Sequence, residues 1–284
     1  MKVLLFGAAG QVGRETIIAA AEDPSVRLVA LTRAEADLAA PNAGRDAIRR
    51  EAPDVVINAA AWTRVDAAET EWAAAERLNA TAVGELAAAS REMGARFVHI
   101  STDYVFAGDK KSAPLNEDAP TGALNAYGRT KLEGERLAIA AHPASVILRT
   151  SWVFSAHGSN FLKTMLRLAE TRDEINVVAD QIGGPTPASA IASACLKIAA
   201  HKSPPGGVYH FQGAPAASWA EFAEAIFQAA GKPVRVNRIA TRDYPMPARR
   251  PLFTVLDCSK IAAVFGVAQP DWRGSIKATI GLVA

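Results

Sequence analysis

The stretch Met1-Lys-Val-Leu-Leu-Phe6-Gly7-Ala-Ala-Gly10-Gln11-Val12-Gly13-Arg14-Glu15 decides the fold. A short apolar run over residues 2–6 reads as a strand buried on both faces, and it stops at a glycine-rich turn. An amphipathic run over 11–22 follows and reads as a helix. The glycines of the turn, spaced Gly-x-x-Gly-x-x-Gly, permit a tight strand-to-helix reversal. They also let backbone N–H groups at the helix N-terminus approach a pyrophosphate. The spacing is related to the dinucleotide fingerprint without being identical to it, and Gly7, Gly10, Gln11, Val12 and Gly13 are the expected phosphate-side contacts.

Working outward, strand-like runs at 27–31, 55–58, 97–101 and 145–149 alternate with helix-like runs at 43–51, 71–93 and 127–141. Such alternation implies right-handed crossovers and a parallel sheet covered on both faces, an α/β doubly wound architecture of Rossmann type. After Trp152 the rhythm breaks. Helices are expected over 160–170, 188–201, 259–265 and 273–283, with a further one from the cap Ser218 to Gly231, and strands over 175–178, 207–212 and 234–239. The expected division is a dinucleotide-binding domain, 1–152, and a smaller, less regular substrate domain, 153–284. Within the second part, residues 188–212 are expected to pack back on the first.

The chain has 284 residues, a net charge of +2 and 21% charged residues. This balance gives no footprint for nucleic acid or a membrane surface. Only two cysteines occur, Cys195 and Cys258, among apolar neighbours and far apart, so buried packing is the expectation for both. Residues 1–6 mimic the start of a secretory signal, but the apolar run ends at Gly7 and no cleavage-type site follows. No run approaches the length of a membrane span. A cytoplasmic protein is expected.

Chemistry enters at Asn125-Ala-Tyr127-Gly-Arg-Thr-Lys131. In a helix Tyr127 and Lys131 stand at i and i+4 on one face. A neighbouring ammonium favours the phenolate and lowers a phenol's pKa from its usual value near 10, which makes Tyr127 a usable proton donor near neutrality. Upstream, Ser101-Thr102-Asp103 offers a hydroxyl, Thr102, to hold and polarise a carbonyl oxygen. The second strand ends at Thr32-Arg33 with no acid at either position, and an arginine there suits a 2′-phosphate, so NADPH is expected to be preferred over NADH. Asp37-Leu38 lies where a loop covers an adenine. The small residues from Ala59 to Ala61 let the backbone lie against the cofactor, with Trp62-Thr63 lining the nicotinamide side.

Taken together, Gly7-x-x-Gly10-Gln-Val-Gly13, Asn58-Ala-Ala-Ala61, Leu78-Asn79-Ala80, Ser101-Thr-Asp-Tyr-Val-Phe106, Tyr127-Gly-x-Thr-Lys131, Arg149-Thr-Ser-Trp-Val153 and Asn160-Phe161 resemble the extended short-chain dehydrogenases/reductases. Within them the chain resembles the dTDP-4-dehydrorhamnose reductase family, from Met1 to about Trp272. The resemblance implies reduction of the C4 keto group of a nucleotide-sugar, with Tyr127 as proton donor. Lys131 would hold the nicotinamide ribose and lower the phenol's pKa, and Thr102 would bind the keto oxygen. Asp103 and Trp152 would contact the sugar, while Val65, Asn160 and Arg250 would lie along the nucleotide-sugar. For Arg250 the physical case is also direct, because a guanidinium pairs well with a diphosphate.

Three departures stand out. Trp62 and Arg64 occupy positions where many relatives have His and a small residue, and Thr32 replaces an acid common in relatives. Some relatives dimerise around Mg²⁺ held by acidic side chains. Here Glu15 is retained, but Ser189 stands where an acid belongs, so no metal is assigned and a monomer or weak homodimer is expected. Two other functions stay open at this level. One is another nucleotide-sugar 4-ketoreductase or an epimerase on the same scaffold; a dehydratase is disfavoured because Tyr104, not glutamate, follows Thr102-Asp103. The other is a non-catalytic dinucleotide-binding regulatory subunit, which has no reason to keep Tyr127, Lys131 and Thr102 together.

Overall fold

The computed structural model describes residues 1–108 and 113–283. The first half alternates strands with helical segments: β1 (Lys2–Phe6), α1 (Gln11–Ala21), β2 (Arg27–Leu31), α2 (Ala43–Glu51), β3 (Val55–Asn58), α3 (Trp72–Glu76), α4 (Ala82–Glu92), β4 (Arg96–Thr102), α5 (Ala126–Ala141) and β5 (Val146–Thr150). The second half is made of shorter pieces. They are β6 (Val153–Phe154), α6 (Phe161–Leu168), β7 (Glu174–Val178), β8 (Ile182–Gly183), β9 (Thr186–Pro187), α7 (Ala188–Ala200), β10 (Gly207–His210), β11 (Ala217–Ser218), α8 (Trp219–Ala230), β12 (Arg235–Ile239), α9 (Ser259–Phe265) and α10 (Trp272–Gly281).

Six strands form one sheet in the order β10-β5-β4-β3-β1-β2, and every neighbouring pair is parallel. The two-residue alternation of a strand divides its apolar side chains between two layers. Val3 and Leu5 join a cluster with Val55, Ile57, Ile191, Cys195 and Ile198, which places α7 on one face. Leu4 and Phe6 join Ile48, Val83, Leu86, Phe97 and Ala138, which places α2, α4 and α5 on the other. This is the doubly wound arrangement expected. Both cysteines are free and buried, as expected from their apolar neighbours.

The strand order reverses on either side of β1, so a crevice opens at the C-terminal ends of β1 and β3. That is where open α/β sheets bind ligands. Gly7 sits there with φ of +85°, and a Cβ on it would lie 2.6 Å from Ala60 N. No side chain other than hydrogen fits between β1 and the segment after β3.

The helix expected as one piece over 71–93 is broken. Between α3 and α4 the turn Arg77–Thr81 carries π-type hydrogen bonding. The extra residue of such a turn swings Asn79 inward, where its amide bonds to both backbone groups of Trp62. Sequence periodicity does not resolve one inserted residue.

The smaller unit gathers α6, α8 and α10 around Phe154, Leu162, Ile175, Phe222 and Trp272. The parallel pair β7 and β12 stands beside it. Ser218 and Glu221 make a reciprocal capping box that starts α8. Residues of α7 and β10, although late in sequence, belong to the layers of the large sheet.

Candidate active site

The cradle at the start of the chain has the features a dinucleotide requires. Gly10 caps α1 in extended backbone and no side chain bonds to the first helical turn, leaving those N–H groups free for an anion. A Cβ on Gly13 would fall 2.1 Å from Gly7 O, so the turn closes only with glycine at that position. These residues fit a pyrophosphate. Gln11 points elsewhere: its Oε1 accepts hydrogen bonds from Ser155 Oγ (3.0 Å) and Asn160 Nδ2 (2.8 Å). The side chain thus ties the loop before α6 to the phosphate turn. Val12 is half-buried and packs against the sheet.

At the end of β2 an acid is present after all. Glu35 Oε2 accepts from both Thr32 N and Thr32 Oγ1 at 2.8 Å. Arg33 is exposed and pairs with Asp37 at 3.2 Å, while Leu38 is buried in the core beneath. Ala59 and Ala61 line the segment after β3, followed by half-buried Trp62 and exposed Thr63.

The reacting groups meet at the ends of β4 and α5. Asn125 caps α5 through Oδ1 and Gly128 N (2.8 Å). Gly128 lets that helix end approach the turn after β4, since a Cβ there would lie 2.2 Å from Tyr104 O. This contact brings Tyr127 beside Thr102. Its ring packs edge-on to Tyr104 at 6.0 Å and shares a small apolar cluster with Trp62. Thr102 Oγ1 donates to Asp103 Oδ1 (3.1 Å) and accepts from Tyr104 N (3.2 Å).

Burial dominates the acid–base character of the site. It pushes the Tyr127 phenol up to about 12, a rise the Thr102 hydroxyl only partly offsets. It pushes the Asp103 carboxyl up to about 7. It also lowers Lys131 to about 7, with Glu135 opposing. The expectation that Lys131 depresses the phenol's pKa therefore does not describe this state. Lys131 Nζ is engaged with Ile100 O (2.7 Å) and His99 Nε2 (3.0 Å) behind the sheet end, and desolvation of the phenol prevails.

The remaining candidates are dispersed around this centre. Arg250 holds Asp66, next to half-buried Val65, through Nη1–Oδ1 (2.5 Å) and Nη2–Oδ2 (2.7 Å), so its guanidinium faces a carboxylate of the chain itself. That pairing holds Asp66 below the usual carboxylate range against a smaller opposing effect of burial. Asn160 caps α6 through Lys163 N (3.0 Å) besides bonding Gln11. Trp152 adopts φ of +45° at the end of β5 and stacks on Trp219 with ring centroids 3.6 Å apart.

Sequence reasoning missed His99, Glu69, Glu135 and Trp219 as parts of this construction, and picked out Asn79 only as a motif residue with no role. Glu69 Oε1 receives Ala126 N (2.7 Å) at the mouth of α5. Glu135 forms a buried ion pair with Arg149. The available signal was a polar residue inside an otherwise apolar strand, as with His99. No group of three or more His, Cys, Asp or Glu side chains with metal-holding geometry occurs among the described residues. Among those residues no helix is long and apolar enough to cross a membrane.

Comparison with known proteins agrees with this geometry. The RmlD substrate binding domain family matches residues 1–284. A dTDP-4-dehydrorhamnose reductase from Burkholderia thailandensis is 46% identical over 292 residues, covering 97% of each chain. The crystal structure of a dTDP-4-dehydrorhamnose reductase from Clostridium acetobutylicum superposes with a TM-score of 0.94 at 37% identity, covering 100% of this chain and 99% of that one. A reductase of the same name from Bacillus anthracis, solved in complex with NADP, gives 0.91 at 33% identity and 98% coverage of both chains. With a match that runs the full length of the sequence, the chain belongs to the RmlD substrate binding domain family.

Proposed function

We propose that the protein is a cytoplasmic NADPH-dependent reductase that converts dTDP-4-dehydro-L-rhamnose to dTDP-L-rhamnose. The observation that carries this reading is the placement of Tyr127 beside Thr102 at the end of β4, with Lys131 one helical turn behind. The same named activity in full-length relatives supports it.

The nicotinamide supplies a hydride when bound; the chain's residues handle binding, orientation and the proton. The open N-terminus of α1 receives the pyrophosphate, and Gly7 and Gly13 keep the turn narrow enough for close approach. The segment from Ala59 to Thr63 is the nicotinamide side. Arg33, exposed beyond β2, is available to a 2′-phosphate once it exchanges Asp37 for that group. Thr102 Oγ1 holds the keto oxygen of the sugar, and Tyr127 gives its phenolic proton to the same oxygen. Asp103 and Trp152 border the sugar, and Val65, Asn160 and Arg250 border the nucleotide. In this assignment the large unit binds the dinucleotide and the smaller unit supplies most of the sugar wall.

Incubation with dTDP-4-dehydro-L-rhamnose and NADPH, with identification of the product sugar, tests the proposal. Stoichiometric loss of NADPH and formation of dTDP-L-rhamnose is the expected outcome. A sugar epimerised at a carbon beside the C4 ketone, with that ketone retained and no net NADPH consumption, would instead identify an epimerase.

A further inference from the structure

Lys131 is 1% exposed, and its partners are unusual for a buried ammonium. Two of them are neutral: Ile100 O accepts from Nζ at 2.7 Å, and His99 Nε2 lies 3.0 Å away. The direction of the second bond is fixed by a third residue. Parallel pairing sets Asn58 on β3 opposite His99 on β4, and Asn58 Nδ2 meets His99 Nδ1 at 3.1 Å. The amide cannot be turned around, because its Oδ1 already accepts Ala60 N at 3.1 Å. Nδ2 is therefore the donor and His99 Nδ1 the acceptor. A neutral imidazole then carries its proton on Nε2 and presents an N–H to Lys131.

An ammonium has three donors and no acceptor, so an N–H facing it is a repulsive contact. A neutral amine has a lone pair and completes the chain: Asn58 donates to His99, His99 donates to Lys131, and Lys131 donates to Ile100 O. Other charges do not overturn this. Glu135 on α5 favours the ammonium, but its carboxylate is occupied by Arg149 from β5 (2.9 and 2.7 Å) and by Ser101 Oγ (2.5 Å). On the side of Tyr127 stand the phenols of Tyr127 and Tyr104, kept neutral by burial, and Asp103, whose own charge is opposed by burial. Thr130 on α5 is turned to Asn79 and Tyr127 O. Burial lowers Lys131 to about 7 and holds His99 well below the usual imidazole value, in line with a neutral pair.

We propose that His99, fixed by Asn58, is a positioning residue that keeps Lys131 as a neutral amine in the free enzyme, so that nucleotide binding takes up one proton at Lys131 Nζ. Binding exchanges the His99 donor for ribose hydroxyls that accept and adds phosphate charge nearby; both favour the ammonium. The proton comes from solvent and adds to the lone pair of Nζ. The activated state of Tyr127, next to a positive lysine, then exists only in the nucleotide complex. This inference rests on the NADPH-binding reading above.

The test is calorimetric titration of the full-length protein with NADPH at pH 8, in phosphate and in Tris. These buffers differ in ionisation enthalpy, and pH 8 lies well above the second pKa, near 6, of a phosphate monoester. Wild type should take up as much as about 0.9 proton per nucleotide, the fraction unprotonated at pH 8 in a group that titrates at about 7. Lys131→Met should abolish the uptake. Asn58→Asp, nearly isosteric, reverses the imidazole tautomer, turns Nε2 into an acceptor for an ammonium, and should cut uptake to below about 0.2. His99→Gln should preserve it, since Oε1 accepts from Asn58 and Nε2 donates to Lys131. Equal observed enthalpies in the two buffers for wild type would overturn the inference while leaving NADPH binding intact. Uptake persisting in Lys131→Met would overturn it as well, even where Asn58→Asp does not fold. Absence of any NADPH binding would overturn the functional reading and the inference with it.

Discussion

Two cations lie buried beside the central sheet, one helical turn apart in their contacts with α5, and the protein treats them in opposite ways. Arg149 is 4% exposed and receives both oxygens of Glu135. Lys131, 1% exposed, receives a carbonyl and an imidazole. Taking a charge out of water costs several kcal/mol, and a well-oriented carboxylate offsets most of it. Arg149 is therefore a fixed charge that fastens β5 to α5. Lys131 has no such partner, and its charge depends on what else enters the site. A structural cation is neutralised by the fold, whereas a working cation is left to be neutralised by its ligand or by losing a proton.

The contrast can be broken by substitution. The largest effect is expected for Tyr127→Phe, which should lower turnover about 10²–10⁴-fold, the range for a lost general acid, with NADPH affinity little changed. Lys131→Met should fall in the same range, and the double variant should be no slower than the worse single one. Additive losses in steady-state assays would mean that Lys131 does not act through Tyr127. Next comes Glu135→Ala, which strands Arg149 in the core and should remove about 3–5 kcal/mol of stability in urea unfolding. Lys131→Met instead replaces an amine whose protonation burial penalises, leaves no charge stranded, and should leave stability equal or higher. Similar destabilisation by both variants would erase the distinction drawn here.

A smaller effect concerns pH. The folded pKa of Lys131 is lowered from 10.5 to about 7, so between those values the unfolded chain binds more protons than the folded one. Stability of the free protein relative to Lys131→Met should therefore rise with pH across that window and stay flat below it. Melting temperatures of the two proteins at pH 6, 7, 8 and 9 would show it, and parallel curves would contradict it. The smallest effect is expected at the exposed Arg33. Its pair with Asp37 contributes about 0–1 kcal/mol to folding, and Arg33→Ala should raise the Michaelis constant for NADPH while leaving that for NADH nearly unchanged. Equal changes for both nucleotides would remove Arg33 from cofactor selection and turn attention to Glu35 on Thr32.

The parts of this construction that sequence reveals are those encoded by local spacing. Apolar runs of strand length, a glycine turn and the i, i+4 relation of Tyr127 and Lys131 are all written within a few residues. They led to the doubly wound sheet and to the pair on α5. What the sequence hides is register. Asn58 and His99 are far apart in the chain and meet only because β3 and β4 pair as they do. The same holds for Arg250 and its distant partner Asp66, and for Asn160, whose amide meets Gln11. The direction of the Tyr127 shift was also beyond reach, because spacing shows that a lysine is near but not where its Nζ is spent.

The sheet's last strand has a consequence for how the chain can be divided and made. β10 completes the edge beside β5, yet 56 residues are synthesised between them, β5 ending at Thr150 and β10 beginning at Gly207. Until residues 207–210 emerge, β5 is an open edge. The face of α1 that α7 covers is bare until Ala188–Ala200 has been made. The nucleotide-binding layer is thus not an autonomous product of its own stretch of sequence. A fragment of residues 1–152 is expected to aggregate or remain loosely packed, with weak amide protection in β5, whereas 1–212 should protect that strand. Hydrogen exchange on the two fragments would decide it, and full protection in the shorter one would show that the layer folds without its late-arriving edge.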